Sequence, residues 1–126
     1  MPGQLSDEDR EALESDARKE QGAQEEVRRK EAELKEADAR MESARAKQKE
    51  MQDARTEIDG KERNGELTKE QAGAARKNCD ENEVRYIQEE QALKEERETK
   101  AKELEEARRK AEREANERNQ ERERSR

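Results

Sequence analysis

The scarcity of large apolar side chains is the feature that most limits what this chain can fold into. Leu, Ile, Val and Phe together account for only ten of its 126 residues, whereas 53% of the residues are charged. Such a chain cannot bury enough apolar surface to form a compact globular core, and the same imbalance is found in disordered chains. The sequence therefore predicts either an extended folded architecture or disorder.

The residues that replace the large aliphatic ones favour helix over disorder. Ala, Glu, Lys, Arg and Gln dominate the sequence, and these residue types have high helix propensities. Proline, which interrupts helices, occurs only at Pro2. We predict an all-α chain of long helices without a globular core.

One segment interrupts the helical pattern. It contains Gly60 and the pair Asn64-Gly65, residue types that tolerate the positive φ at which many helices end. We expect Gly60 to close the first helix near residue 59. Two arms of nearly equal length around one turn indicate a long antiparallel helical hairpin or coiled coil. The predicted segments are a first helical arm at 1–59, a turn at 60–67 and a second arm at 68–126 with a highly charged C-terminal tail.

Two short patterns predict where the helices begin. Ser6 precedes a run of acidic residues, which suits an N-cap followed by the positively polarised first turn of a helix. Thr68 and Gln71 have the spacing of a capping box, in which each side chain accepts a hydrogen bond from the other residue's backbone N–H group. Leu67 and Ala72 flank this box and are placed to form a small hydrophobic staple.

A heptad pattern marks the apolar face of the first arm. Val27, Leu34 and Met41 recur every seven residues, and Met51 and Ile58 continue the pattern on the other apolar heptad position. This spacing is typical of a coiled-coil seam. Four polar or charged residues at the same positions weaken it: Glu20, Lys30, Gln48 and Arg55.

The second arm has a comparable line through Cys79 and Leu93, followed by an interval of eleven residues to Leu104. We interpret this interval as a stutter. Val84 and Ile87 lie off that line, so the arm is expected to present a second apolar face that accepts a third helix. The predicted interaction seam consists of Val27, Leu34, Met41, Met51, Ile58, Cys79, Val84, Tyr86, Ile87, Leu93 and Leu104.

Outside the seams, glutamates repeatedly precede Lys or Arg by four positions, as in Glu31 and Lys35 or Glu90 and Lys94. Each such pair stabilises its own helix by about 0.2–0.5 kcal/mol. Beyond about residue 94 these charges nearly replace the apolar pattern. The tail is therefore predicted to be a solvated helix or to fray.

The residue types that catalysis requires are scarce in this chain. It contains no His and no core able to desolvate a carboxylate, the two usual sources of a general base near neutral pH. Residues 64–71 resemble the second half of an EF-hand loop, but Gly60 and Gln71 occupy the positions of the first and last carboxylate ligands. We expect no enzymatic activity, no cofactor and no metal site.

Cys79 and Tyr86 are interpreted first as packing residues of the seam. The alternatives are an intermolecular disulfide at Cys79 and an interface hot spot at Tyr86, the only aromatic residue.

The overall charge and the apolar pattern restrict the partners. A net charge of −7 argues against nucleic acid, and no segment is apolar and long enough to insert into a membrane. The N-terminus lacks the features of a signal peptide, and a single Cys agrees with a reducing compartment, so a soluble chain in the cytoplasm or another reducing compartment is expected. Because so little apolar surface can be buried within one chain, we expect a homo-oligomer or a protein partner.

These observations favour a structural or adaptor protein that acts through coiled-coil contacts and self-associates. Two alternatives remain open at this point. In the first, residues 59–66 at the hairpin tip are the recognition element of a binding module. In the second, the chain is hydrophilic and disordered and folds on binding.

Overall fold

The structure, a computed structural model, describes residues 6–124. Within this range it contains two α-helices, α1 (Asp7–Arg63) and α2 (Lys69–Arg124), and no strand. The two helices pack against each other as an all-α helical hairpin, which confirms the predicted fold class. The expectations for residues 1–5, and for residues 125 and 126 of the predicted second arm, lie outside the described residues.

Both helices begin at the predicted capping residues. The hydroxyl of Ser6 accepts a hydrogen bond of 3.1 Å from the backbone N–H of Asp9 at the start of α1. At the start of α2, the Thr68 hydroxyl accepts a hydrogen bond from the Gln71 N–H at 3.1 Å, and the Gln71 side chain accepts one from the Thr68 N–H at 3.0 Å. These reciprocal bonds are those of a capping box, so that prediction is confirmed.

The end of α1 differs from the expectation. Gly60 is helical, α1 continues to Arg63, and Gly65 is the glycine with a positive φ, at 79°. The N–H of Gly65 donates to the carbonyl oxygen of Glu62, and the N–H of Glu66 donates to that of Lys61. This pair of bonds is a Schellman motif, which satisfies carbonyl groups that a helix end leaves unpaired. The helix therefore ends where these bonds form, and the prediction that Gly60 closes it is wrong.

The described chain divides into two compact units, each built from part of both helices. We name them the terminal unit (the described residues within Met1–Leu34 and Thr99–Arg126) and the tip unit (Lys35–Glu98). In the tip unit, Arg45 pairs with Glu90 at 3.0 Å, and Asp59 pairs with Arg76 at 2.9 Å. As the residue number in α1 increases, the number of its partner in α2 decreases, so the helices of this unit are antiparallel.

The terminal unit has the same antiparallel direction. Asp16 lies 3.8 Å from Arg122, and Lys30 lies 2.9 Å from Glu103. Among the described residues of this unit, Leu104 is the buried aliphatic one, at 5% exposure.

The interpretation of the interval between Leu93 and Leu104 as a stutter is wrong. Lys100 lies seven residues after Leu93 and is half-buried, and Leu104 follows four residues later. Steps of seven and four are the ordinary spacing of an unbroken heptad pattern. The sequence pattern concealed this continuity because charged residues, Arg97 and Lys100, occupy the two positions between the leucines.

Candidate interaction surface

The heptad positions of α1 face α2 within the hairpin. From Ala23 to Glu62, each residue at the two seam positions is buried or half-buried. In the tip unit, Met41 and Ala44 of α1 form a buried cluster with Leu93 of α2. These heptad positions of α1 thus supply its contact with α2 within one chain.

The eleven predicted seam residues fall into three groups by exposure. Met41, Cys79, Leu93 and Leu104 are buried. The half-buried residues are Val27, Leu34, Met51, Ile58 and Tyr86. Only two are exposed: Val84, at 53%, and Ile87, at 38%.

Charged side chains fill seam positions where apolar residues are missing. Near the turn, the guanidinium of Arg76 in α2 donates hydrogen bonds to Glu62 and, at 2.9 Å, to Asp59, both on α1. The hydrogen bond to Glu62 is the largest cause of a raised pKa of Arg76, followed by the bond to Asp59. Two carboxylates three residues apart on one helix therefore hold one arginine of the other.

A similar arrangement, with one hydrogen bond and one ion pair, recurs with the helices exchanged. Arg55 of α1 donates a hydrogen bond to Glu83 of α2, and its Nε lies 3.2 Å from a carboxylate oxygen of Asp80. Glu83 and Asp80 are again three residues apart. We call each of these arrangements a clasp.

A third clasp has the opposite charge at its centre. Glu90 of α2 accepts hydrogen bonds from Arg45 and Gln48, which are three residues apart on α1. The bond from Arg45 is the largest cause of the lowered pKa of Glu90, and the bond from Gln48 is the next. The three clasps favour one register of the helices in the tip unit, because a shift by one heptad would place Arg76 beside Arg55, or Glu83 beside Glu62.

In the terminal unit, two lysines and two glutamates form a reciprocal network. Lys30 of α1 donates to Glu103 of α2 at 2.9 Å, and Lys100 of α2 donates to Glu33 of α1 at 3.1 Å. These hydrogen bonds are the largest causes of the lowered pKa values of Glu103 and Glu33. Sequence reasoning missed both this network and the clasps, because it sought ion pairs within single helices. The available signal was charged residues spaced by three at the seam positions.

Val84 and Ile87 form an apolar patch on α2, which we name the α2 patch. They are one helical turn apart, and the hairpin leaves both of them partly exposed. Beside them, the half-buried ring of Tyr86 receives the ammonium group of Lys47 from α1, 5.4 Å from the ring centre. Tyr86 is therefore part of the contact between the helices, whereas the α2 patch is available to another molecule.

The tip consists of capped helix ends. Within residues 6–124, no group of three or more His, Cys, Asp or Glu side chains is arranged to hold a metal ion. Asp59 and Glu62, the acidic residues nearest the turn that are paired across the hairpin, bind Arg76. The loop that resembles half an EF-hand therefore serves in this structure as a helix end and a helix start.

A surface groove in the terminal unit, with a volume of about 530 Å³, lies over Ala23, Ala107 and Ala111. Its walls carry both acidic and basic side chains, including Glu26 and Lys110. The small alanines leave this space between longer charged residues.

Comparison with protein families, with curated proteins and with solved structures gave no match. Among the described helices, none is long and apolar enough to cross a membrane.

Proposed function

We propose that this chain is a structural or adaptor protein that acts through helix–helix contacts, with the α2 patch as its contact surface. The observation that carries the proposal is the exposure of Val84 and Ile87 side by side on one face of α2. Single exposed apolar residues are common on protein surfaces. Two adjacent ones in a chain with so few aliphatic residues leave apolar surface in contact with water, and a partner that buried this surface would gain free energy.

The use of the seam within the hairpin supports this choice of surface. Met41 and Leu93 are buried in their own chain, so they are not available to a partner unless the hairpin opens. The clasps at Arg76 and Arg55 also use their charges internally. A partner helix therefore has the α2 patch, rather than the seam, as its apolar contact.

The proposal involves no catalysis. The chain has no His, and the carboxylates with a shifted pKa, Glu33, Glu90 and Glu103, have a lowered pKa because basic side chains or amides hold them ionised. A general base or acid near neutral pH needs a shift in the other direction for a carboxyl group. These residues suit an electrostatic role in joining the helices.

The test is photocrosslinking from the patch. A photoreactive amino acid replaces Gln88, an exposed residue next to Ile87, and in a control it replaces Lys49, which is exposed on α1. We expect crosslinks to a specific protein, or to a second copy, from position 88 and not from position 49. The double substitution Val84→Gln with Ile87→Gln should abolish them while the helical circular dichroism stays unchanged.

A tip variant separates this proposal from recognition by the turn. Asn64→Ser with Glu66→Gln changes two exposed tip side chains without altering Gly65. Crosslinking from position 88 should survive this change. Crosslinks that persist in the α2 patch variant, or that disappear in the tip variant, would contradict the proposal.

A further inference from the structure

We propose that Asn64, at the hairpin tip, is a site of spontaneous deamidation, at which its side-chain amide becomes a carboxylate and part of the protein acquires an isoaspartate linkage. This inference does not depend on the α2 patch. It rests on the glycine that follows Asn64, on the exposure of both residues and on the hydrogen bonds that end α1.

The reaction takes place within the chain, with water as its only co-reactant. The backbone nitrogen of Gly65 loses its proton to solvent and attacks Cγ of Asn64. The bond between Cγ and Nδ2 breaks, ammonia leaves with a proton from solvent, and a cyclic succinimide forms. Water then adds to one of the two ring carbonyls and returns a proton to the nitrogen. Opening at one carbonyl gives aspartate, and opening at the other gives isoaspartate, whose backbone runs through the side-chain carbon.

The glycine after Asn64 makes the attack sterically easy. Gly65 has no side chain beside its nitrogen, and no atom outside its own neighbourhood in the chain lies within 4 Å of the place that a Cβ would occupy. Asn64 and Gly65 are both exposed, and they lie in the turn between α1 and α2. Solvent therefore reaches the atoms that react.

The other asparagines lie inside α2, where the attack is hindered. Asn78 is the closest comparison, because it is exposed like Asn64 but helical. The next residue is Cys79, whose side chain is buried and whose N–H belongs to the hydrogen-bond ladder of the helix. Freeing that nitrogen requires several neighbouring hydrogen bonds to open together. The remaining asparagines of α2 are Asn82, Asn116 and Asn119.

At the tip, one hydrogen bond restrains the attacking nitrogen. The N–H of Gly65 donates to the carbonyl oxygen of Glu62 at 3.1 Å, where α1 ends. The ends of helices open at a much smaller cost in free energy than their interiors. The nitrogen of Gly65 should therefore be free far more often than that of Cys79, so the folded hairpin should react first at Asn64.

Isoaspartate at position 64 would disrupt the end of α1. The N–H groups of Glu66 and Leu67 both donate to the carbonyl oxygen of Lys61, at 2.9 and 3.2 Å, and the N–H of Gly65 donates to Glu62. The backbone of residue 64 lies within each of the three rings that these hydrogen bonds close. Isoaspartate adds one carbon atom to that backbone, so all three rings change size. The new carboxylate also lies at the negative end of the dipole of α1, which is destabilising.

Peptide mapping of the full chain by mass spectrometry, after long incubation at mildly alkaline pH, tests the site. In the folded protein, Asn64 should be converted at least about tenfold faster than Asn78, because a helix end opens more often than a helix interior. Unfolding in urea should accelerate conversion at Asn78 more than at Asn64. That comparison separates the contribution of the fold from that of the following residue.

Asn64→Gln is the matched variant, because glutamine would have to close a larger ring. It should abolish the isoaspartate that an isoaspartyl methyltransferase detects in the unmodified chain. The inference is overturned by equal conversion at Asn64 and Asn78 in the folded protein, or by an isoaspartate signal that survives Asn64→Gln. It is also overturned if the folded chain keeps Asn64 intact while the chain in urea converts it.

Thermal unfolding tests the structural consequence. The converted protein has one more negative charge, so ion exchange separates it from the starting chain. Asn64→Asp has the same charge with a normal backbone and is the control. We expect the melting temperature to fall by about 3–6 °C in the isoaspartate-rich fraction and by about 1–2 °C in Asn64→Asp. Equal melting of the two would contradict the disruption of the helix end.

Discussion

The tip unit and the terminal unit join the same two helices by different means. The tip unit combines a buried apolar cluster, Met41, Ala44 and Leu93, with three clasps and a turn that is capped on both sides. The terminal unit has Leu104 as its buried aliphatic residue, and Leu13, at a seam position, is 43% exposed. The difference shows that the seam can be held largely by charge where apolar residues are sparse. This difference also predicts that the two helices separate more readily in the terminal unit than in the tip unit.

The largest expected effect comes from truncating the apolar cluster. Leu93→Ala should lower the free energy of unfolding by about 2–4 kcal/mol, because it removes a buried side chain and leaves a cavity. Leu104→Ala should cost less, about 1–2 kcal/mol, because half-buried neighbours allow the site to collapse or hydrate. Urea denaturation followed by circular dichroism measures both. A larger effect at Leu104 would reverse the comparison between the units.

The next largest effect is expected at the turn of the tip unit. Gly65→Ala should cost about 1–2 kcal/mol, because a residue with a side chain is strained at a φ of 79°. No atom lies within 4 Å of the added Cβ, so the cost is conformational rather than a steric clash.

Gly60→Ala is the matched control. Gly60 is helical and also has open space around it, so this substitution should stabilise the hairpin by about 0.5–1 kcal/mol. Thermal unfolding of the two variants should therefore shift in opposite directions. If Gly60→Ala were the destabilising one, the assignment of the helix end to Gly65 would be wrong.

The capping box should make a smaller contribution. Thr68→Ala removes the hydroxyl that accepts the hydrogen bond from the Gln71 N–H and should cost about 1 kcal/mol. Thr68→Ser keeps that acceptor and should cost little. Amide hydrogen exchange at the start of α2 should speed up in the Ala variant only, and equal exchange in both variants would speak against the cap.

The smallest effect expected is a dependence of stability on acid. The pKa values of Glu90 in the tip unit and of Glu33 and Glu103 in the terminal unit are lowered by their basic or amide partners. Their contribution should be complete above the unfolded-state pKa, about 4.3, and should disappear as the pH falls through the lower folded-state values.

Glutamine substitutions assign this loss to particular units. Glu90→Gln and Glu103→Gln should each make urea unfolding less dependent on pH between about 5 and 3, because a neutral side chain no longer takes up a proton. Glu50→Gln, at an exposed position of α1, is the comparison. A pH dependence that neither interface substitution reduces would show that other carboxylates control the acid response.

The parts of the fold that could be predicted from sequence depend on local signals. The capping box at Thr68 and Gln71 was identified because its two hydrogen bonds join residues three apart. The hairpin was predicted because helix-forming residues surround one glycine-containing turn. The choice between Gly60 and Gly65 as the end of α1 could not be made, because both residues allow it and the Schellman hydrogen bonds decide.

The ion pairs between the two helices could not be predicted from the spacing of residues within one helix. Glu31 and Glu90 were predicted to pair with lysines four residues later in their own helices, but they bind Arg108 and Arg45 across the hairpin. Glu36 and Arg40, which have the same four-residue spacing, do pair within α1. A glutamate at the edge of the seam lies near basic residues of both helices. Which of them it pairs with depends on the alignment of α1 against α2, and the sequence pattern did not determine that alignment.

We propose that the α2 patch meets the partner, whereas the seam joins the two helices of one chain. Methyl NMR of Val- and Ile-labelled protein tests it most directly, because the chain has only Val27, Ile58, Val84 and Ile87 of these types. When the protein captured from position 88 is added, or when the chain is concentrated if that protein is a second copy, we expect chemical-shift changes at Val84 and Ile87, with Val27 and Ile58 unchanged. Shifts at Val27 and Ile58 without shifts at Val84 and Ile87 would contradict it and make the seam the contact surface.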